Sequence, residues 1–252
     1  MSPDLALALA LADLADGISL ARFRAHDLVV DTKPDLTPVT EADRAVERTL
    51  RNRIAAERPN DGVLGEEFGE SGGEGTRWLL DPIDGTKNYT RGIPIWATLI
   101  ALERRGELVA GVVSAPALAR RWWACRGEGA RLNGEPIRVS QVDRIEDAAV
   151  SDTPALAARA WHARELGDFW QHMLVAEGAL DVAFDRIVNP WDLAPVLLIV
   201  EEAGGRMTDL GGCARIDGGS AVSTNGLLHE EALAALAPVP VTPSARRSST
   251  RR

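Results

Sequence analysis

Asp81 and Asp84 flank Pro82-Ile83, and Gly85-Thr86 follows at once. Carboxylate oxygens are the ligands a hard divalent cation prefers. Main-chain N–H groups at the start of a helical turn, which Gly85 and Thr86 can open, suit a phosphate. Trp78-Leu79-Leu80 reads as the end of a buried strand, and Pro82 stiffens the polar turn that follows it. Acidic oxygens beside an anion cradle point to metal-assisted phosphate chemistry. Asp-Pro and Asp-Gly are also ordinary turn formers, so the same run could be a tight loop and nothing more.

Other acidic groups stand where they could join this pair. Gly65-Glu66-Glu67 follows a strand-like Val63-Leu64, and two successive strands can deliver both acidic loops to one sheet edge. A glutamate pair between glycines is otherwise a solvated loop. Asp192, in Asn189-Pro190-Trp191-Asp192, is by default a helix N-cap, although Pro195 lacks the N–H such a cap often takes. Asp43 lies at capping-box spacing from Thr40, which favours a helix-start role on spacing alone. The histidines show no pattern suited to a nucleophile. A haloacid-dehalogenase-type loop is set aside, because its aspartates are separated by a single residue and these by two.

The elements that must hold these groups alternate along the chain. Leu5 to Phe23 and Glu41 to about Arg58 read as helices, the second capped by Thr40. Thr98–Leu102 and Leu108–Val113 read as a hairpin turning at Arg104-Arg105-Gly106-Glu107, with further strands at Arg121–Cys125 and Ile137–Val139. Thr153-Pro154 opens another helix, Phe169–Glu177 forms a helix, and Val182-Ala183-Phe184 forms a short strand. Asp192 to Ala203 is helical and closed by Gly204-Gly205. The expectation is one unit over 1–237, built of two closely packed α/β halves (about 1–140 and 141–237), with a disordered Arg/Ser-rich tail over 238–252.

Composition narrows the class. A chain of 252 residues with 45% hydrophobic content can bury a large core. Its formal charge of -9 argues against a nucleic-acid or anionic-membrane surface, yet bound cations can still draw in an anionic substrate. Cys125 and Cys213 make no disulfide framework or metal spacing. The apolar run Leu5–Ala12 lacks a basic leader and is bounded by Asp4 and Asp13, so it reads as a helix face in a cytoplasmic protein.

In this order, Gly65-Glu66-Glu67, Asp81-Pro82-Ile83-Asp84-Gly85-Thr86 and Trp191-Asp192 with Glu202-Ala203-Gly204-Gly205 resemble the inositol-monophosphatase-like family of Mg²⁺-dependent phosphatases. Lys33 through Asp43 is similar to the family's amino-terminal segment, and the resemblance runs from about Leu5 to Ala237. It implies a layered αβαβα sandwich of the inositol-monophosphatase/fructose-bisphosphatase type, commonly a homodimer, acting on a small phosphate monoester with two or three Mg²⁺ ions per site. Glu66, Asp81 and the Ile83 carbonyl would hold one metal; Asp81, Asp84 and Asp192 would hold a second. Thr86 with Asp43 would orient or deprotonate the attacking water, Glu67 would support the ligands, and Asp84, Gly85 and Thr86 would face the phosphate. Two metals about 4 Å apart would neutralise the ester's charge, activate water and stabilise the departing alkoxide.

The leaving-group side narrows the resemblance. Gly167-Asp168-Phe169-Trp170, Leu174-Val175-Ala176-Glu177-Gly178 and Arg120-Arg121-Trp122-Trp123 are similar to the family's histidinol-phosphate phosphatases more than to its inositol enzymes. Asp168 and Asp185 would then contact substrate, with inositol phosphate or another polyol phosphate as the alternative and a phosphate-sensing binding protein as the non-enzymatic one. Asp185 stands where members commonly carry the longer glutamate.

Overall fold

The computed structural model describes residues 1–151, 153–164 and 167–237; the tail expected to be disordered lies outside the described residues. Helix α1 (Pro3–Arg22) is capped by the Ser2 side chain and buries Leu5, Ala8, Leu11, Ala12 and Ala15 along one face. The hairpin of β1 (Val30–Thr32) and β2 (Pro38–Thr40) feeds straight into α2 (Glu41–Glu57), where Thr40 and Asp43 form the expected capping box.

An eight-stranded sheet follows: β3 (Gly62–Gly65), β4 (Gly69–Ser71) and β5 (Thr76–Asp84), then, after the short α3 (Thr86–Thr90), β6 (Ala97–Arg104), β7 (Glu107–Ala115), β8 (Arg120–Cys125), β9 (Ala130–Leu132) and β10 (Glu135–Pro136). Its order is β10-β9-β8-β7-β6-β5-β3-β4, antiparallel throughout except where β3 lies parallel to β5. The central strands are apolar on both faces. Trp78, Leu80, Ile100 and Val112 pack under α1 and α2, while Leu79, Leu99 and Val113 face the opposite layer. Strand β5 does not turn after Leu80 as expected but runs on to Asp84, with the ladder to β6 irregular between Asp81 and Asp84. Pro82, which has no N–H to give, sits in that irregularity.

The second sheet comprises β11 (Ala149–Ser151), followed by the one-turn α4 (Pro154–Ala157), β12 (His162–Arg164), then α5 (Asp168–Ala176), β13 (Val182–Asp185), α6 (Pro190–Glu202), β14 (Arg206–Thr208) and β15 (Ala221–Thr224), with α7 (His229–Leu236) last. Its strand order is β12-β11-β13-β15-β14. The Thr153 side chain makes no capping bond, and the helix it opens ends after four residues. Ile137–Val139 is not a strand: pairing with β9 stops at Pro136, and the Val139 N–H goes instead to the Ala203 carbonyl behind α6.

Helix α6 begins earlier than expected, with Asn189 as N-cap and Asp192 three residues in. Asn followed by Pro is a stronger start signal than Asp192, because Pro is preorganised for the first helical position. Leu193 to Val200 are all buried, since α5 and α6 lie between the two sheets. With α1 and α2 outside the larger sheet and α4 and α7 packed on the smaller one, the layers read αβαβα. No helix among the described residues is long and apolar enough to cross a membrane.

Candidate active site

Because β3 and β5 are parallel neighbours with Gly65 opposite Leu80, Glu66 leaves the end of β3 beside Asp81, which is still within β5. The Glu66 N–H still bonds the Leu80 carbonyl at 3.2 Å. Beyond it the loop is tied to α2 by Glu47, a buried carboxylate that accepts the Glu67 and Phe68 N–H groups at 2.7 and 3.2 Å and Arg51 Nε at 2.7 Å. Gly65 leaves room for that side chain; a Cβ there would sit 2.1 Å from Glu47 Oε1.

Asp81, Asp84 and Asp192 converge, each offering a carboxylate oxygen within 4.8 Å of the others. Other hydrogen bonds fix how these side chains stand. Asp81 Oδ1 accepts the Ile83 N–H at 3.0 Å, Asp84 Oδ2 accepts the Phe169 N–H at 2.8 Å, and Asp192 Oδ2 accepts the Asn189 N–H at 2.8 Å. Burial raises all three carboxyl pKa values: Asp81 well up, with Glu66 next in effect; Asp84 well up, with Asp168 next; and Asp192 to about 7. Crowded, partly desolvated carboxylates made only of hard oxygen are the donor set of a divalent ion such as Mg²⁺, whose charge would relieve their repulsion.

Glu66 is held differently. Lys33, on the β1–β2 hairpin, places its ammonium 2.7 Å from Glu66 and 2.6 Å from Glu67. Burial pulls the Lys33 pKa down, but the two glutamates outweigh it and hold the group firmly charged. A cation bound by Glu66 and the Lys33 ammonium would compete for one carboxylate. Glu67, mostly buried, has its pKa raised by burial against the opposing pull of Lys33.

Thr86 donates its hydroxyl to the Ile83 carbonyl at 2.9 Å and lies 3.5 Å from Asp43 Oδ1. Asp43 therefore serves twice: Oδ2 accepts the Thr40 N–H at 2.8 Å as a cap, and Oδ1 faces Thr86. Burial pushes its pKa up to about 6. Gly85, at φ 81, turns the chain into α3, and a Cβ there would meet the Ile95 carbonyl at 3.0 Å. With only five residues α3 adds little dipole, so any anion affinity at Gly85 and Thr86 comes from the N–H groups themselves.

A cavity of about 280 Å³ is lined by Glu66, Asp81, Asp84, Thr86, Asp168 and Asp192 among others. A smaller one of about 70 Å³, sharing Asp84, Asp168 and Asp192, adds His172 and Asp185. Asp168, at the start of α5 with a left-handed φ of 50, makes no capping bond among the described residues, and the Phe169 N–H goes to Asp84. Burial, then Asp185, raises the Asp168 pKa. Asp185 Oδ2 accepts Gln171 Nε2 and His172 Nε2, both at 2.8 Å. Lys33, Gln171 and His172 are the neighbours that sequence reasoning missed. The available signal for the last two was their spacing from Asp168, which puts them on the same face of α5.

The sequence pattern of the Inositol monophosphatase family matches residues 1–240. The histidinol-phosphatase of Mycobacterium tuberculosis is 53% identical over 92% of this chain and 97% of that protein, and that of Streptomyces coelicolor is 45% identical over 91% and 95%. Among solved structures, the extragenic suppressor protein suhB from Bartonella henselae superposes with a TM-score of 0.88 at 30% identity, covering 94% of this chain and 99% of that one. The acidic cluster where β3, β5 and α6 meet, the layered fold and these matches agree: the chain belongs to the inositol monophosphatase family of Mg²⁺-dependent phosphoric monoester hydrolases.

Proposed function

We propose that this protein hydrolyses L-histidinol phosphate to L-histidinol and inorganic phosphate. The observation that carries the reading is a second carboxylate pair, Asp168 and Asp185, on the cavity wall beside the acidic cluster. Histidinol phosphate bears an ammonium group and an imidazole that is partly protonated near neutral pH, whereas the inositol leaving group offers only neutral hydroxyls. Two partly desolvated carboxylates favour the cation. The high identity to two histidinol-phosphatases supports the same choice.

In this reading Asp81, Asp84 and Asp192, with Glu66 and the Ile83 carbonyl, hold Mg²⁺, two or three ions per site. The bound ions would neutralise the phosphate and make a water acidic enough to attack it. Thr86, in concert with the Asp43 carboxylate whose Oδ1 faces it, would orient or deprotonate that water. Glu67 steadies the Glu66 loop, and the Gly85 and Thr86 N–H groups hold phosphate oxygens beside Asp84. One water is consumed, the P–O ester bond breaks, and the alkoxide leaves as the alcohol after gaining a proton. The reading extends to a cytoplasmic protein whose two α/β halves act as one unit, and to a homodimer, as the resemblance implies.

Phosphate release from L-histidinol phosphate, inositol 1-phosphate and glycerol 2-phosphate, each with Mg²⁺ and with chelator, tests it. Histidinol phosphate should give the highest kcat/KM, and chelator should abolish turnover. A higher kcat/KM on inositol 1-phosphate would move the assignment to the inositol enzymes, and equal release with chelator would remove the metal.

A further inference from the structure

His172 is buried between two partners. Its Nδ1 lies 2.7 Å from Ser223 Oγ on β15, and its Nε2 lies 2.8 Å from Asp185 Oδ2 at the end of β13. An ionised carboxylate can only accept, so Nε2 carries the proton it shares with Asp185. The Ser223 hydroxyl, itself buried, then serves Nδ1 and fixes the ring. Gln171, the preceding residue on α5, donates to the same Oδ2 at 2.8 Å and to the Phe184 carbonyl at 3.2 Å. Both donors therefore pull on one oxygen of Asp185, and the other is left for the cavity that Asp168 also lines.

Ser223 is out of reach of any substrate, so this Ser-His-Asp series is not a nucleophilic triad. It works in the opposite sense, with the carboxylate as the exposed end. Resting on the substrate reading above, we infer that Gln171 and His172, the latter backed by Ser223, are positioning residues that set substrate preference by fixing the Asp185 carboxylate beside Asp168. The arrangement also accounts for an aspartate serving at Asp185. A shorter side chain reaches less far, and donors that settle its plane let the remaining oxygen meet a ligand without first losing rotamer freedom.

The test is a double-mutant cycle on the full-length, Mg²⁺-loaded protein, read as the ratio of kcat/KM on L-histidinol phosphate to that on glycerol 2-phosphate. His172→Phe and Gln171→Leu should each lower that ratio roughly tenfold, the size expected for one charge-assisted hydrogen bond, mainly through KM on histidinol phosphate. His172→Gln, whose amide N–H can reach the same oxygen, should restore most of it. In an Asp185→Ala background neither substitution should lower the ratio further. Equal losses on both esters, or an undiminished loss without Asp185, would overturn the positioning role. If His172→Phe does not fold, Gln171→Leu decides on the same criteria. If the wild-type protein releases no phosphate from histidinol phosphate, the substrate reading falls by itself. The cycle is then run with inositol 1-phosphate in its place, where coupling to Asp185 keeps the inference and its absence ends it.

Discussion

Apart from Glu66, which the Lys33 side chain holds, the carboxylates on the phosphate side and those on the leaving-group side are secured by different means. Asp43, Asp81, Asp84 and Asp192 each accept a main-chain N–H, from Thr40, Ile83, Phe169 and Asn189 respectively. Asp185 is held by two side chains, and the Asp168 carboxylate has no hydrogen-bond partner among the described residues. A group bonded to main chain is placed by the fold, whatever the neighbouring side chains are. A group bonded to side chains can be re-aimed by substitutions that leave the fold alone. The difference explains how one scaffold can keep its chemistry while its leaving-group preference changes.

Asp84 is where the two sides meet, since this carboxylate on β5 also takes the Phe169 N–H of α5, next to Asp168. Asp84→Asn keeps an acceptor for Phe169 but, on the proposed metal assignment, removes a ligand charge. Activity should fall more than about 100-fold on every phosphate ester alike, beyond the range seen when only a ligand's supporting partner is lost. The melting temperature should hold or rise, because a buried repulsive charge is gone. Selective loss on one ester would break the division drawn above. Thr86→Ala should follow at roughly 100-fold, in kcat far more than in KM, if its hydroxyl serves the attacking water as proposed. A change confined to KM would reassign it to phosphate binding.

The same division governs what could be read from the sequence. The strands of the larger sheet were legible because both faces are buried and their apolar runs are nearly continuous, as at Leu79–Leu80 and Leu99–Ala101. That Glu66 and Asp81 come together was expected from two successive strands and holds because β3 and β5 are parallel neighbours, although β4 lies between them in sequence; the Thr40–Asp43 box followed from local spacing. Asp43, Asp81 and Asp192, fixed by main-chain N–H groups close in sequence, lie within reach of such local rules; the bond from the distant Phe169 to Asp84 does not. The Asn189-Pro190 start of α6 is equally local, and proline at the first helical position makes it a stronger signal than Asp192. Lys33 on Glu66 and Glu67 was not legible, because it depends on how a hairpin folds over a distant loop. Nor was His172, whose partners come from β13 and β15.

Asp168→Asn sharpens the contrast from the other side. If this carboxylate meets a cationic leaving group, kcat/KM on histidinol phosphate should fall about 10-fold or more, the worth of a charged hydrogen bond, with a much smaller change on glycerol 2-phosphate. With Asp84 already holding the Phe169 N–H, no cap is lost, so the melting temperature should not drop. An equal loss on both esters would place Asp168 with the metal ligands.

The smallest expected effect is on stability against pH, and it separates the two sides without any substrate. Asp43 and Asp192 titrate at about 6 and about 7 in the folded protein, and Asp81 and Asp84 are also raised, above the roughly 4 of an unfolded chain. The folded state therefore holds these protons more tightly than the unfolded state does. Their contribution to stability is complete below the unfolded value and is lost as pH rises through the folded values. With chelator present, the melting temperature should climb as pH is lowered from 8 to 6, by roughly 2–4 °C for each kcal/mol regained. Saturating Mg²⁺ should raise the whole curve and flatten or reverse its slope, because metal binding requires the ionised ligands and weakens as they protonate. Lowering the protein's overall negative charge would also stabilise it at lower pH, so a variant must isolate the site. Asp192→Asn should remove a visible part of the metal-free slope, while Gln171→Leu, on the side held by side chains, should leave the slope as it is. A slope unchanged by Asp192→Asn would mean that the crowding of these carboxylates does not control the acid response.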